Sequence, residues 1–411
     1  MSLKSSLHIS RMWSSVVFPR VRVIYWPMMS NTSGTPGISE AAVRNALARV
    51  DDPEIGKPIT ELDMVESVRI DGNDVAVGIY LTIAGCPMRD TIEGNVRAVL
   101  EELDGVGQVS VTMHTMSDEQ RRNLAQRLKG DRSEPVIPFA QPGSTTRVFA
   151  VASGKGGVGK SSMTVNLATS LAAQGLTVGI LDADIYGHSI PGLMGSVGQG
   201  PTLVDEMLMP PIAHNVRHIS IGQFVEGNAP VVWRGPMLTR AIQQFLADVY
   251  WSELDVLFMD LPPGTGDVAI TVAQLVPNAE LLIVTTPQAA AAEVAERAGS
   301  ISQQTGQRVA GVIENMSAMV MPDGTTMDIF GSGGGEQVAE RLTHITGEEV
   351  PLLGSVPLDP QLRAHGDDGT PIAISAPDSP AAKAVNEIAN KLKVRRESLA
   401  GKNLSLGVTN N

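Results

Sequence analysis

The feature that most constrains the fold of this chain is a glycine-rich loop between two apolar segments. Residues 147–152 have the composition of a buried strand, and residues 163–173 carry apolar residues at helical spacing. The loop between them matches the spacing Gly-x4-Gly-Lys-Ser. The candidate nucleotide ligands in it are Gly154, Lys155, Gly156, Gly157, Val158, Gly159, Lys160, Ser161 and the following Ser162. Spacing, residue types and flanking segments agree, so we interpret it as a phosphate-binding loop.

The chemistry of this loop indicates a nucleotide and a divalent cation. Glycines allow successive backbone N–H groups to face phosphate oxygens, and the start of a helix adds a partial positive charge. The Lys160 ammonium group can reach the β and γ phosphates, and the Ser161 hydroxyl is the expected Mg2+ ligand. The sequence has no Asn-Lys-x-Asp motif for guanine, which favours ATP as the nucleotide.

Acidic residues follow two further predicted strands. Asp182 and Asp184 come after the apolar residues 177–181, and Asp260 ends a hydrophobic stretch in the Walker B pattern. Open α/β sheets bind ligands at the carboxyl ends of their strands, so we expect these carboxylates near the phosphates. Asp260 would then hold Mg2+ through water. Acids that simply end strands are the alternative for Asp182 and Asp184.

At least five apolar segments alternate with helical patterns within residues 147–398. These segments begin at Arg147, Thr177, Val256, Leu281 and Val309. The alternation predicts an α/β domain with a doubly wound, mostly parallel sheet. A helix predicted over residues 381–399 carries apolar residues on one face, and we expect it to pack on the sheet.

Residues 39–116 predict a small α+β domain before the larger one. Ser39 is placed to cap a first helix, and Asp71-Gly72-Asn73 is a hairpin turn signal between two strands. A second helix is expected to start at Cys86 and Pro87, and a third strand covers residues 108–113. Residues 117–146 predict a helix and then a linker rich in Pro and Gly.

Cys86 is the only cysteine in the chain. At a helix start its thiolate would be favoured by unpaired backbone N–H groups. Asp51, Asp52 and Glu54 are expected nearby. A reactive or metal-binding thiol is one interpretation, and a small residue that fills a turn is the other. A single cysteine excludes an intrachain disulfide and any complete four-cysteine metal site in one subunit.

Several segments resemble known families. Residues 52–56 and 81–88 resemble the small MIP18-like domain associated with iron–sulfur assembly. Lys155, directly after the first glycine of the loop, resembles the deviant Walker A class that includes ParA, MinD and Mrp-type ATPases. With the segments 182–187, 260–267 and 314–317, the chain resembles the Mrp/ApbC group of iron–sulfur carrier ATPases from about residue 40 to about residue 395.

This resemblance implies a homodimer that hydrolyses ATP slowly, acts with partner proteins, and transfers iron–sulfur clusters to apoprotein clients. It implies that Lys155 reaches the nucleotide of the opposite subunit, with a charge-balancing surface lysine as the alternative. It also implies that Asp184 orients the attacking water and that Asp182 supports the loop or the Mg2+ shell. Asn315 matches the family's adenine-binding asparagine. The catalytic candidates are therefore Lys155, Lys160 and Asp184.

The chain departs from the family pattern at two places. The family's Cys-x-x-Cys is missing, and residues 321–324, Met-Pro-Asp-Gly, predict a tight turn instead. The usual cluster between subunits cannot form, so cluster transfer must use Cys86 with external thiols, or not occur. The alternative function is a nucleotide-switched adaptor of the MinD/ParA class without a cluster. His188 replaces a usual proline and is either exposed or alters the rigidity of its loop.

Charge and composition exclude other classes of protein. Asp and Glu number 44 against 31 Lys and Arg, a net charge of −13, which argues against nucleic acid as the main ligand. No uninterrupted apolar run reaches about 18 residues, so no membrane span is expected. The single cysteine suits the cytoplasm.

The two ends of the chain predict no packed structure. Residues 1–39 contain no acidic residue, and a signal peptide, an organellar targeting peptide and an over-long start are the alternatives. We favour the over-long start, with a disordered extension over residues 1–38. Residues 399–411 are expected to form a flexible tail.

Overall fold

The structure is a computed structural model that describes residues 38–129, 136–184, 187–224, 235–264, 266–288, 291–321 and 323–393. All of these residues belong to one compact unit of the chain. The extension predicted for residues 1–38 lies outside the described residues except for Ile38. The tail predicted for residues 399–411 lies outside them entirely.

The N-terminal residues build a small sheet with helices packed on it. The helices are α1 (Glu40–Leu47), α2 (Arg89–Glu101) and α3 (Asp118–Lys129), and the strands are β1 (Val65–Asp71), β2 (Asp74–Leu81) and β3 (Val109–Thr115). Strand β2 lies in the middle, antiparallel to β1 and parallel to β3. The predicted hairpin and the α+β architecture are confirmed.

The first two helices differ in how well the sequence predicts their starts. Ser39 Oγ accepts a hydrogen bond from the Ala42 N–H at 3.1 Å, so the predicted cap of α1 is confirmed. The predicted start of α2 at Cys86 is wrong. Turn hydrogen bonds from the Cys86 N–H to Ile83 O and from the Arg89 N–H to Cys86 O hold the chain in turns before the helix begins.

The residues after 136 form the larger body. They contribute the strands β4 (Arg147–Ser153), β5 (Val178–Asp182), β6 (Thr202–Val204), β7 (Met207–Met209), β8 (Ile212–Ala213), β9 (Val216–Ser220), β10 (Val256–Asp260), β11 (Glu280–Thr285), β12 (Val309–Ser317), β13 (Met319–Val320), β14 (Thr326–Met327) and β15 (Leu352–Pro357). They also contribute the helices α4 (Lys160–Ala173), α5 (Ile190–Leu193), α6 (Gly235–Ala247), α7 (Asp267–Leu275), α8 (Ala291–Thr305), α9 (Gly334–Thr346), α10 (Pro360–Asp367), α11 (Ile372–Ser375) and α12 (Pro380–Leu392).

Eight of these strands form one sheet in the order β15-β12-β11-β4-β10-β5-β9-β8. All neighbouring pairs are parallel except β8 and β9, which are antiparallel. The predicted doubly wound, mostly parallel sheet is therefore confirmed. The carboxyl ends of β4, β5 and β10 meet at one edge of it, and this edge carries the candidate site.

Helices cover both faces of the large sheet. Because side chains alternate along a strand, Leu257 and Met259 of β10 enter one core and Val256 and Phe258 enter the other. Helices α6 to α9 contribute to the first core, and α4, α11 and α12 to the second. Helix α12 contacts β15, so the predicted packing of the C-terminal helix is confirmed. Within the described ranges, no helix combines the length and apolarity needed to cross a membrane.

A third core joins the small sheet to a hairpin of the larger body. Val204, Met207 and Met209 of β6 and β7 are 1–2% exposed and belong to the same buried cluster as α1, α2 and β2. Helix α3 contacts β6 and adds Leu124 and Ala125 to this core. Residues 38–129, here called the N-terminal unit, are therefore held by buried apolar contacts as well as by the chain that follows α3.

Gly179 in the middle of β5 provides a test of packing in the large sheet. A Cβ atom there would lie 2.8 Å from Leu254 Cδ1 and 2.9 Å from the ring of Trp251. We expect Gly179→Ala to lower the free energy of unfolding by about 1–3 kcal/mol, because a close-packed core does not expand freely. Thermal unfolding followed by circular dichroism measures this change.

Gly94→Ala is the matched control. Gly94 is exposed in α2, and a Cβ atom there would have no atom within 4 Å of it apart from its chain neighbours and the backbone of its own helix. The same substitution should therefore raise stability there by about 0.5–1 kcal/mol, because alanine loses less backbone entropy in a helix. Equal effects of the two substitutions would contradict the packing described at Gly179.

Candidate nucleotide-binding site

The glycine-rich loop connects β4 to α4 at the carboxyl edge of the large sheet. Gly157 and Gly159 have φ angles of 81° and 84°, in the left-handed region that favours glycine. A Cβ atom on Gly159 would also collide with the side-chain amide of Asn315. Helix α4 begins directly after it, at Lys160. The loop thus lies at a helix N-terminus, where anions are favoured.

The Lys160 ammonium group is a buried charge at the centre of the site. Its Nζ lies 2.7 Å from Asp260 Oδ2 and 3.9 Å from Asp184 Oδ2, and it donates a hydrogen bond to Ser161 Oγ at 3.3 Å. Lys160 is 6% exposed and Asp260 is 0% exposed. Charges buried this deeply need partners at ion-pair distance. The structure therefore brings these four predicted residues together.

Two hydroxyl groups of α4 also bind Asp260. Ser161 Oγ donates to Oδ2 at 2.5 Å, and Thr164 Oγ1 donates to Oδ1 at 2.9 Å. Thr164 was not among the predicted site residues. Its spacing is the signal that could have found it, because a residue four positions after Lys160 lies on the same side of a helix. Thr164 fixes the orientation of the Asp260 carboxylate.

Asp182 lies at the end of β5, bound by two donors. Its Oδ2 accepts a hydrogen bond from Ser220 Oγ at 2.8 Å, and its Oδ1 accepts one from the Asp184 N–H at 3.1 Å. Burial raises the pKa of Asp182, and the negative charge of Asp260 raises it further. Asp184 Oδ1 in turn accepts the Gly187 N–H at 3.0 Å. Ser220 was missed because a serine that ends a strand has no local signature.

Lys155 lies apart from this buried group. Its side chain is exposed, and its Nζ donates a hydrogen bond to Gln288 Oε1 at 2.8 Å. Gln288, which follows β11, was also not among the predicted site residues. Exposure leaves Lys155 accessible to a second subunit, and its role across a dimer stays a prediction.

Asn315 lies against the loop from β12. It is 2% exposed, and its Nδ2 donates to Val158 O at 2.9 Å. Its Oδ1 is buried and has no hydrogen-bond partner among the described residues. A buried acceptor without a donor is unusual in a folded protein and fits a ligand that brings one. The amino group of adenine is such a donor, so the residues present fit an adenine nucleotide.

The donor set also fits Mg2+ with a nucleotide. In the described part of the chain, no three His, Cys, Asp or Glu side chains form a group that could hold a metal ion by themselves. Mg2+ keeps several waters and takes few protein ligands when phosphates are present. Ser161 Oγ and the carboxylates of Asp260 and Asp182 would hold it here, and bound Mg2+ neutralises charge on the β and γ phosphates.

Cys86 lies in the core of the N-terminal unit, away from these residues. It is 8% exposed. Burial and then the negative charge of Glu54 raise the pKa of its thiol to about 11, although the N–H groups of Met88 and Arg89 act in the opposite direction. The predicted favoured thiolate is therefore wrong, because loss of water around the sulfur outweighs the donors near the helix start.

An acidic loop borders Cys86. Asp52 Oδ1 accepts the Glu54 N–H at 2.9 Å and the Ile55 N–H at 2.8 Å, which fixes the turn. Burial and then the charge of Asp52 raise the pKa of Glu54 to about 7. Both carboxyl groups act on the Cys86 thiol, so their predicted proximity is confirmed. Asp51 is exposed.

The region of the missing cysteine pair is a short hairpin. Strands β13 and β14 pair antiparallel, and the Met321 N–H donates to Thr325 O at 2.8 Å. Asp323 Oδ1 accepts the Thr325 N–H at 3.0 Å, which confirms the predicted turn, although Pro322 lies outside the described residues. Met321 is half-buried in this hairpin. His188, the other departure from the family pattern, is exposed.

Two family models match the chain. The ParA model, described as NUBPL iron-transfer P-loop NTPase, matches residues 144–393. A model described as iron-sulfur cluster assembly protein matches residues 40–111. The resemblances seen in the sequence are therefore confirmed for both parts of the chain.

Relatives named iron-sulfur cluster carrier protein align along most of the chain. The one from Mycobacterium leprae is 60% identical over 379 residues, covering 92% of this chain and 99% of the relative. The one from Mycobacterium tuberculosis H37Rv is 61% identical over 380 residues, with 92% and 99% covered. The one from Synechocystis is 41% identical over 357 residues, with 85% and 96% covered. The chain thus belongs to the ParA family of NUBPL iron-transfer P-loop NTPases.

Proposed function

We propose that the protein is an ATP-hydrolysing carrier that binds iron–sulfur clusters and transfers them to apoproteins. The observation that carries the proposal is the buried Lys160 ammonium group between Asp260 and Asp184 at a helix N-terminus, in a chain of an iron-transfer NTPase family. The P-loop NTPase fold and family support ATPase activity. In this proposal hydrolysis is slow and is coupled to partner proteins.

The side chains of the site have different roles in ATP hydrolysis. Lys160 neutralises charge on the transferred phosphate, where the negative charge is greatest. Ser161 and Asp260 hold the Mg2+ shell, and Asp184, 3.9 Å from Lys160 Nζ, orients the attacking water. Lys155 completes the site of the opposite subunit in a homodimer. Asn315 Oδ1 accepts a hydrogen bond from the amino group of adenine.

The cluster is cargo, and Cys86 supplies the thiolate of this chain. A two-fold dimer brings at most two such thiolates together, so thiols of partners or small molecules complete the ligand set. The partners are apoprotein clients or iron–sulfur assembly proteins, and the compartment is the cytoplasm. We divide the chain into an N-terminal domain (39–116), a helix with a linker (117–146) and an ATPase domain (147–398).

A second candidate function is a nucleotide-switched adaptor of the MinD/ParA class that carries no cluster. It is favoured by the hairpin that replaces the cysteine pair and by burial of the only thiol, whose pKa is raised to about 11. The two functions share the same ATP site, so experiments on iron uptake separate them.

Lys160→Ala tests the ATP site. We expect ATP hydrolysis to fall by about 100-fold or more, because removal of one group that stabilises transition-state charge has an effect of this size. Phosphate release measures the rate, and circular dichroism checks the fold. Lys383→Ala is the control, since Lys383 is an exposed lysine of α12 paired with Asp378. Unchanged turnover in a folded Lys160→Ala protein would refute the assignment.

Lys155→Ala tests the role across the dimer. We expect ATP binding to persist and turnover to be lost in this variant, and turnover to be lost in Asp184→Ala as well. If Lys155 acts in the opposite subunit, a mixed dimer has one site without either lesion, so random mixing should restore about a quarter of wild-type activity. No recovery on mixing would show that both residues act within their own subunit.

Cys86→Ser tests the cargo. We expect anaerobic reconstitution of the wild type to give less than one labile cluster per dimer, because two thiolates are half of an all-cysteine ligand set. Iron, sulfide and visible absorption should be lost in Cys86→Ser, with ATP hydrolysis little changed. Full, stable occupancy in Cys86→Ser would contradict the ligand assignment. A wild type that takes up no iron would support the adaptor.

A further inference from the structure

Strand β9 touches both the nucleotide site and the loop that borders Cys86. Its last residue, Ser220, donates to Asp182 Oδ2 at 2.8 Å. Three residues earlier, Arg217 Nη2 donates to the carbonyl oxygen of Glu54 at 3.2 Å. At about 3.3 Å per residue, the two positions lie about 10 Å apart along the strand. One buried strand therefore contacts both regions.

The chain between β5 and β9 makes a second connection. It leaves the site at Gly187, whose N–H binds Asp184 Oδ1 at 3.0 Å, and it returns at Ser220. Between these points, β6 and β7 place their apolar side chains in the core of the N-terminal unit, namely Val204, Met207 and Met209. A movement at either acid therefore acts on a segment that is anchored in both parts of the protein.

Tyr250 binds the same loop and also contacts this hairpin. The Leu208 N–H donates to Asp248 O at 3.0 Å, and the Tyr250 N–H donates to Leu208 O at 2.8 Å. The Tyr250 hydroxyl group then donates to Ile55 O at 3.3 Å. The backbone of residues 54 and 55 is thus bound by two side chains of the larger body, Arg217 and Tyr250.

The surroundings of Arg217 would allow its contacts to the loop 52–56 to be arranged differently. Arg217 is 8% exposed, yet its Nε has no hydrogen-bond partner within the described residues. A cavity of about 1010 Å³ lies beside it and is lined by Ile55, Gly56, Arg217 and Tyr250, among others. A buried donor without an acceptor favours any rearrangement that supplies one. This cavity borders the loop at Ile55 and Gly56.

We propose that β9 and the β6–β7 hairpin couple the nucleotide site to the loop 52–56, with Arg217 as the positioning residue that sets how this loop covers Cys86. Nucleotide phosphates that bind the Lys160 ammonium group compete with Asp260 and Asp184 for it, which changes the balance of contacts at the end of β5. The hydrogen bonds of Ser220 to Asp182 and of Gly187 to Asp184 transmit this change to the N-terminal unit. The inference rests on the proposed function because it requires ATP at the phosphate-binding loop. It does not depend on cluster binding.

The single thiol of the chain makes a direct test possible. The rate of alkylation of Cys86 by N-ethylmaleimide is measured by intact mass at pH 8.5, without nucleotide, with Mg2+ and ADP, and with Mg2+ and a non-hydrolysable ATP analogue. We expect the wild-type rate with the analogue to differ about fivefold or more from the nucleotide-free rate, the lower end of typical coupling between sites. Nucleotide affinity is measured in the same samples.

Arg217→Gln should abolish this difference while nucleotide affinity and basal hydrolysis stay unchanged, because Arg217 lies away from the phosphate-binding loop. A merely structural role would change the alkylation rate equally in all three states. Tyr250→Phe removes one hydroxyl group and keeps the ring, so it should reduce the difference even if Arg217→Gln does not fold. Arg363→Gln is the control, since Arg363 forms an exposed ion pair with Asp367.

The outcomes separate the inference from the proposed function. Equal alkylation rates in all nucleotide states of the wild type, with nucleotide bound, would overturn the coupling alone. Full retention of the nucleotide effect in Arg217→Gln, or in Tyr250→Phe where Arg217→Gln does not fold, would overturn the assigned route. Failure of the wild type to bind ATP would contradict the proposed function.

Discussion

The burial of one positive charge, the Lys160 ammonium group, determines how the strand ends of the site are arranged. A cation that is 6% exposed requires anionic partners, and it finds Asp260 at 2.7 Å and Asp184 at 3.9 Å. Loss of one partner of a buried ion pair lowers the free energy of unfolding by about 3–5 kcal/mol. The phosphate-binding loop and the ends of β5 and β10 are therefore held together by ion pairs. Nucleotide phosphates compete for the same ammonium group. The site therefore responds to its ligand by redistributing existing contacts.

The nucleotide site is physically connected to the N-terminal unit. The segment between β5 and β9 begins and ends at the acids of the site, and its hairpin is buried in the other core. Arg217 and Tyr250 bind the backbone of the loop beside Cys86. Cys86 itself is buried, and burial and the charge of Glu54 in this loop raise the pKa of its thiol to about 11, which lowers its reactivity. A connection of this kind can control how accessible the Cys86 thiol is.

Local patterns predicted much of the fold and of the site. Spacing alone indicated the strand, loop and helix around Lys160, and the rule that parallel strands present ligands at their carboxyl ends brought Asp182 and Asp260 to the same edge. Ser39 was found because a cap acts within one turn. The start of α2 was wrong because a proline fits both a first helical turn and a preceding turn. Thr164 was missed although its spacing from the lysine was available.

The sequence by itself determined the elements whose signals lie within a few residues: the phosphate-binding loop, the acids that end strands, and the tight turn at residues 321–324. Only the tertiary structure decided what lies around Cys86 and how the two parts of the chain are joined. Arg217 binds the carbonyl oxygen of Glu54, which lies 163 positions away along the chain. The short strands of the β6–β7 hairpin have no periodicity that would distinguish them from a loop. Contacts of this kind depend on which surfaces meet after folding, because their energy comes from burial and from bonds between distant segments.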